Sequence, residues 1–188
     1  MAYRTLELQI RSAQGLKYVN HIRDMRTYAV VFICDDNNNR ISYEAKTEYG
    51  AGPGPDGGSN PRWNFDVMFN IDIEKAQQYG LALVVRLMSH HSLRPDTLIG
   101  EVRVPITVLL EWFGDAAEDV NKEARRNVVT AGGQEKGTLA FLYKFGRPLQ
   151  HPPADPAPVN GQSGRVWKKL LRKVPSHLLD AVLILLVV

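Results

Sequence analysis

His90 and His91 stand side by side in a polar stretch from Ser89 to Asp96. Imidazoles are common metal ligands and change charge near neutral pH. Successive residues on an extended backbone point to opposite sides, so the pair cannot easily share one ion, and no third ligand is evident. Both are expected to be exposed loop histidines. Asp35 and Asp36 form a paired carboxylate of the kind that acid–base chemistry uses. They open the run Asn37-Asn38-Asn39, however, which reads as a solvated turn where nothing would desolvate a carboxyl and shift its pKa. The glycine-rich stretch 49–61 is followed by neither Gly-Lys-Ser/Thr nor a helix start, so it lacks the parts that cradle a phosphate. It is expected to be a flexible insertion. A Gly-x-Ser-x-Gly elbow and a His-Glu-x-x-His zinc motif are both missing from the sequence. The expectation is a non-enzymatic chain with no cofactor.

The elements that would carry these residues are strands. Leu6, Leu8 and Ile10 alternate with Glu7, Gln9 and Arg11, the pattern of a half-buried strand. Residues 27–34 are a continuous β-branched and aromatic run, expected as a central strand, and Ile41 to Thr47 as its returning partner. Phe65 to Ile71, Leu81 to Leu87, Leu98 to Val104 and Leu139 to Phe145 continue the series, with a weak strand at 128–131. Ile73 to Tyr79 and Ile106 to Phe113 read as short helices, Ser89 to Asp96 as a polar loop and 114–127 as a charged loop. Eight short strands without βαβ alternation predict an all-β, antiparallel sandwich over residues 1–146. Cys34 excludes a disulfide framework, fits a reducing compartment and is expected to be buried in its strand.

The remainder is a Pro/Gly-rich stretch at 147–164, expected to be a disordered linker, and a basic and apolar tail at 165–188. The formal net charge is +3. Arg165, Lys168, Lys169, Arg172 and Lys173 face Asp180 alone in the tail, so the body is close to neutral, unlike the basic domain of a nucleic-acid binder. No nucleic acid is expected as a partner. Val166, Leu170 and Val174 recur every fourth residue, with Trp167 and Leu171 beside them and Lys168, Lys169, Arg172 and Lys173 filling the other faces. This predicts a short amphipathic helix for an anionic lipid surface. The apolar run from Leu178 to Val188 falls short of the roughly 20 residues that a spanning helix needs. Membrane anchoring leads. Packing against the sandwich or a partner, and an atypical C terminus from an altered reading frame, remain open. The strand pattern that opens soon after Met1 has no apolar run before it, so no secretory signal is expected.

Five segments in order resemble a C2 domain. Leu6 to Lys17 resembles its first strand and the start of the first top loop, and Thr27 to Val31 its second strand. Asn60-Pro61-Arg62-Trp63-Asn64-Phe65 is similar to the segment that opens the fourth strand, and Leu98 to Val102 to the start of the sixth. Lys136 to Gly146 is similar to the closing strand of plant C2 proteins of the soybean cold-regulated type. The resemblance implies an eight-stranded antiparallel β-sandwich and, in calcium-binding members, several aspartates on two top loops. Carried over by motif position, these fall on Asn20, Arg26, Ser89, His91 and Thr97, none of them a carboxylate. Asp24 and Asp96 lie next to such positions and are the possible residual ligands. A calcium ion takes six to eight oxygens, several from carboxylates, so the resemblance implies calcium independence. The lysine-rich strand that many members use for phosphoinositides falls near Lys46, flanked by Glu44 and Glu48. His21, Ile22, Arg23, Arg26 and Arg94 offer a modest basic, partly apolar loop tip. The resemblance further implies an adaptor, cytoplasmic and peripheral on the cytosolic face of a membrane, in plant stress, defence or cold signalling. Its expected partners are anionic lipids and an unidentified protein. A calcium-dependent phospholipid sensor and a soluble scaffold are the alternatives.

Overall fold

The computed structural model describes residues 2–19, 25–52, 58–114 and 120–151. The chain divides into two compact units, Met1–Pro158 and Val159–Val188, and every described residue belongs to the first. The linker beyond residue 151 and the whole tail lie outside the described residues.

In chain order the elements are β1 (Tyr3–Gln14), β2 (Arg26–Cys34), β3 (Ala45–Lys46), β4 (Arg62–Asp72), α1 (Ile73–Gln78), β5 (Ala82–His90), β6 (Thr97–Pro105), α2 (Ile106–Phe113), β7 (Lys122–Val129) and β8 (Glu135–Phe145). Their order across the sheet is β3-β2-β5-β6-β7-β8-β1-β4, and every pairing is antiparallel. The sheet folds into two four-stranded layers, β3-β2-β5-β6 and β7-β8-β1-β4, joined by the single residue pair Glu101↔Val129. Alternation supplies the core between them. Leu6, Leu8 and Ile10 of β1 meet Leu139, Phe141, Tyr143 and Phe145 of β8 from one layer, and Ala29, Val31 and Ile33 of β2 and Leu83, Val85 and Leu87 of β5 come from the other. Each such large apolar side chain contributes about 1.5–3 kcal/mol on burial. This is the eight-stranded sandwich expected from the sequence.

Gly100 explains why the layers can touch at all. A Cβ there would lie 2.6 Å from Val128 Cγ1 and 2.7 Å from the Val129 carbonyl oxygen. Gly50 does the same for the segment after β3, where a Cβ would come within 2.3 Å of Pro61 Cβ and 3.0 Å of Trp63 Nε1. The half-buried Trp63 donates from Nε1 to the Thr27 carbonyl (3.3 Å), and Asn60 Oδ1 accepts from the Gly15 amide (2.9 Å). The Asn60-Pro61-Arg62-Trp63 segment thus clamps β1, β2 and the residues after β3 together.

Several local expectations are corrected. The charged loop at 114–127 contains most of β7, and the weak strand at 128–131 is only its end. Only Ala124 and Val128 turn to the core there, because β7 lies at the seam and Arg126 covers Trp112 with its guanidinium 4.0 Å from the ring. Two small apolar residues among cations do not show the period of a strand. The returning strand at 41–47 shrinks to Ala45–Lys46. The Ser42 hydroxyl accepts from the Ile33 amide (2.8 Å) where a ladder bond would otherwise form, which interrupts pairing after the bridge Cys34↔Arg40. β5 continues through His90, so the polar loop is shorter than expected. Leu149, placed in the linker by composition, pairs with Tyr3 through two backbone hydrogen bonds (2.8 and 2.7 Å). The two short helices occur where expected, and Cys34 is buried, its thiol pushed up by burial.

Candidate functional site

The starts of β2 and β6 and the end of β5 bring four of the five carried-over calcium positions to one end of the sandwich. Arg26 pairs with His90, and Ser89 with both Thr27 and Thr97. His91 follows His90 into the loop. Asn20 lies outside the described residues, as do Asp24 and the loop-tip residues His21, Ile22 and Arg23. So do the tail residues Trp167, Lys168, Lys169, Arg172 and Lys173.

Asp96 is the acidic centre of this end. Its Oδ2 accepts from the Tyr28 hydroxyl at 2.5 Å. Its Oδ1 accepts from the His91 amide at 3.0 Å and lies 3.0 Å from His90 Nδ1. Burial pulls its carboxyl pKa upward, but the bonds from Tyr28, the His91 amide and His90 outweigh burial and hold it below the usual aspartate range. The Tyr28 hydroxyl is shifted the other way, upward, by burial and then by the Asp96 carboxylate. His91 Nε2 lies 3.0 Å from Thr97 Oγ1, and burial with the nearby Arg94 guanidinium holds its pKa below the ordinary value. Ser89 is fully buried, with no hydrogen-bond partner for its hydroxyl. Among the described residues no three His, Cys, Asp or Glu side chains come together as a metal-binding group.

Beside this loop anchor, cations and rings alternate. The Arg26 guanidinium stacks 4.1 Å from the centre of the Tyr49 ring, which meets His90 at 5.2 Å. The Lys46 ammonium sits 4.0 Å from the centre of Tyr28, which touches Tyr49 edge-on at 6.1 Å. Cation–π contacts keep such charges at the surface at a modest gain of about 0.5–1 kcal/mol each. Composition alone does not reveal Tyr28 and Tyr49 as neighbours, because they are brought together only by the β2–β3 pairing and the backbone bonds that continue it from Thr47 to Ala29 and from Gly50 to Thr27. Reasoning from motifs also passes over one loop residue whose signal is in the sequence. Leu93 is the lone aliphatic residue of the run Ser89 to Asp96, and it stands 91% exposed between Ser92 and Arg94. His90 and His91, expected as exposed loop histidines, are instead half-buried, His90 at the end of β5 beside Asp96 and His91 beside Thr97. Asp35 sits in a turn as expected, with Oδ1 accepting from the Asn39 amide at 2.7 Å, but the hydrogen bonds from Asn39 hold its carboxyl below the usual aspartate range, where the sequence led to no expected shift.

A family model described as C2 domain matches residues 4–117. Protein SRC2 of Glycine max is 37% identical over 157 residues, covering 84% of this chain and 50% of that protein. Protein SRC2 homolog of Arabidopsis thaliana is 33% identical over 147 residues, covering 78% of this chain and 42% of that protein. The chain therefore spans about half the length of these relatives. The C2A domain of plant extended synaptotagmin 1 superimposes with a TM-score of 0.56 at 13% identity, covering 78% of this chain and 96% of that one, a likeness of fold.

Proposed function

The chain belongs to the C2 domain family, with plant SRC2 proteins among its relatives, and from that premise we propose a non-enzymatic, calcium-independent adaptor that docks peripherally on the cytosolic face of a membrane. The observation that carries this reading is Leu93, an aliphatic side chain held in water at the tip of a loop whose base is tied down by Asp96. Leaving a leucine exposed forgoes about 1.5–3 kcal/mol that an acyl layer would return. Arg94 beside it, and Arg26 and Lys46 layered on the tyrosines behind it, supply positive charge for anionic headgroups, each about 1 kcal/mol near such a surface. Calcium independence is supported by the commitment of Asp96 to three donors and by the cations around it. The His90–Asp96 pair, which resembles an acid–base dyad, is occupied in holding the loop. The basic segment 165–173, with Trp167, Lys168, Lys169, Arg172 and Lys173, is a second membrane contact in this proposal. Stress or defence signalling enters from the sequence resemblance, and the membrane-docked domain presents its sandwich loops to a protein partner.

Co-sedimentation of the full chain with phosphatidylserine vesicles tests the proposal. Binding should be equal in calcium and in chelator. Leu93→Glu should weaken it about tenfold or more, the free energy of burying a leucine amounting to at least that factor. A Leu93→Glu chain that binds as the parent does, or binding that needs calcium, would remove this reading.

A further inference from the structure

The outer face of the layer β7-β8-β1-β4 carries a feature separate from the Leu93 loop. Register places Arg62, Ser12, Ala140 and Arg125 in one row straight across four strands. Residues directly opposite one another share a face, so the two long cations stand at the ends of the row and the two small side chains in its middle. Three strand spacings separate the ends, about 14 Å at the backbone. A β-bulge in β1 between Ile10 and Ser12 leaves Arg11 unpaired in the ladder, and Arg11 joins the same depression. The result is a cleft of 360 Å³ in which three arginines face one carboxylate, Glu123, with the amide side chains of Gln14 and Asn64 in its lining. Glu123 is already engaged by Arg125 at 3.0 Å. Among the described residues Arg11 and Arg62 form no salt bridge.

We propose that this cleft is a second binding site, for a compact anion bearing more than one phosphate. Guanidinium groups match phosphate geometry with two parallel donors each, and those of Arg11 and Arg62 are not taken up by protein carboxylates. Ser12 and Ala140 leave room over the centre of the row where larger residues would fill it. The volume is at the small end of ligand sites, which suits a ring or short chain of phosphates. The same chemistry occurs in soluble inositol polyphosphates and in phosphoinositide headgroups. The proposal stands or falls apart from the loop-tip reading, because none of its residues belongs to the Leu93 loop or to the stack of Arg26, Lys46, Tyr28 and Tyr49.

The test is an amide-correlation NMR titration of the full chain with myo-inositol hexakisphosphate at physiological salt. Shifts should centre on Ser12, Arg62, Arg125 and Ala140 and saturate with a Kd below about 100 µM. The double variant Arg11→Gln/Arg62→Gln should weaken binding tenfold or more with an unchanged melting temperature. Ala140→Glu, which sets a carboxylate in the middle of the row, should weaken it as much. A chain with Lys168, Lys169, Arg172 and Lys173 changed to Gln should keep the shifts at the cleft. Shifts confined to the tail or to the surroundings of Lys46, or equal affinity in Arg11→Gln/Arg62→Gln, would overturn the site. Phosphatidylcholine vesicles doped with a phosphatidylinositol bisphosphate then distinguish the sources. Loss of vesicle binding in the double variant assigns the headgroup, and loss of hexakisphosphate binding alone assigns the soluble anion.

Discussion

Asp96 accepts from Tyr28, His90 and the His91 amide, so a calcium ion would have to displace those donors while Arg26 and Arg94 oppose it. Isothermal titration of the full chain should therefore detect no calcium affinity tighter than about 0.1 mM, the strong edge for extracellular calcium modules. The same carboxylate gives a pH signature. Its pKa is lower in the folded than in the unfolded chain, so its stabilisation is complete above the unfolded value, about 3.9, and is lost as pH falls through the lower folded value. Urea unfolding should show Asp96→Asn less stable than the parent above pH about 5, with the gap narrowing toward pH 2. A gap that widens on acidification would contradict the assigned direction. The individual carboxylates and cations were legible in the sequence. Their partners were not, because Tyr28 and Asp96 are 68 residues apart and meet only through the β2–β5–β6 pairing.

Strand alternation made β1, β5 and β8 legible, and the continuous apolar run made β2 legible, because β2 and β5 also bury Phe32, Cys34, Ala82 and Val84 on the face away from the main core. β7 escapes a reading by period because its only buried positions are Ala124 and Val128, with Arg126 between them, a pattern that does not look apolar. β3 is shorter than its β-branched neighbours suggest because a serine hydroxyl competes with the ladder. The clamp at Asn60-Pro61-Arg62-Trp63 was visible as a motif, and its physical content is the bond to the Thr27 carbonyl and the contact with Gly50. Trp63→Ala should cost about 2–3 kcal/mol, somewhat below the value for a fully buried Trp, because Trp63 is half-exposed. In a chain of this size that lowers the melting temperature by about 5–10 °C. Gly100→Ala should be destabilising by a similar amount, because the Val129 backbone cannot yield without opening the seam. Differential scanning calorimetry reads both, and a neutral Gly100→Ala would show that the layers can part freely.

For the whole molecule, a near-neutral body is followed by a tail with a strong positive excess. On the proposed function, changing Lys168, Lys169, Arg172 and Lys173 to Gln in the full chain should weaken vesicle binding and flatten its salt dependence, while the uncharged Leu93→Ser should weaken binding without changing the salt slope. Equal salt slopes in both variants would place the electrostatic contact elsewhere. The sequence by itself determined the class of fold, most of the strand inventory, the absence of carboxylates at the carried-over positions and the segregation of charge, because each is a property of residue type and period along the chain. Tertiary structure alone decided which cation stacks on which ring, that Asp96 ties down the loop bearing Leu93, and that Arg11, Arg62 and Arg125 share one cleft. Those depend on register between strands far apart in sequence, and a shift of one residue would turn every one of those side chains to the opposite face.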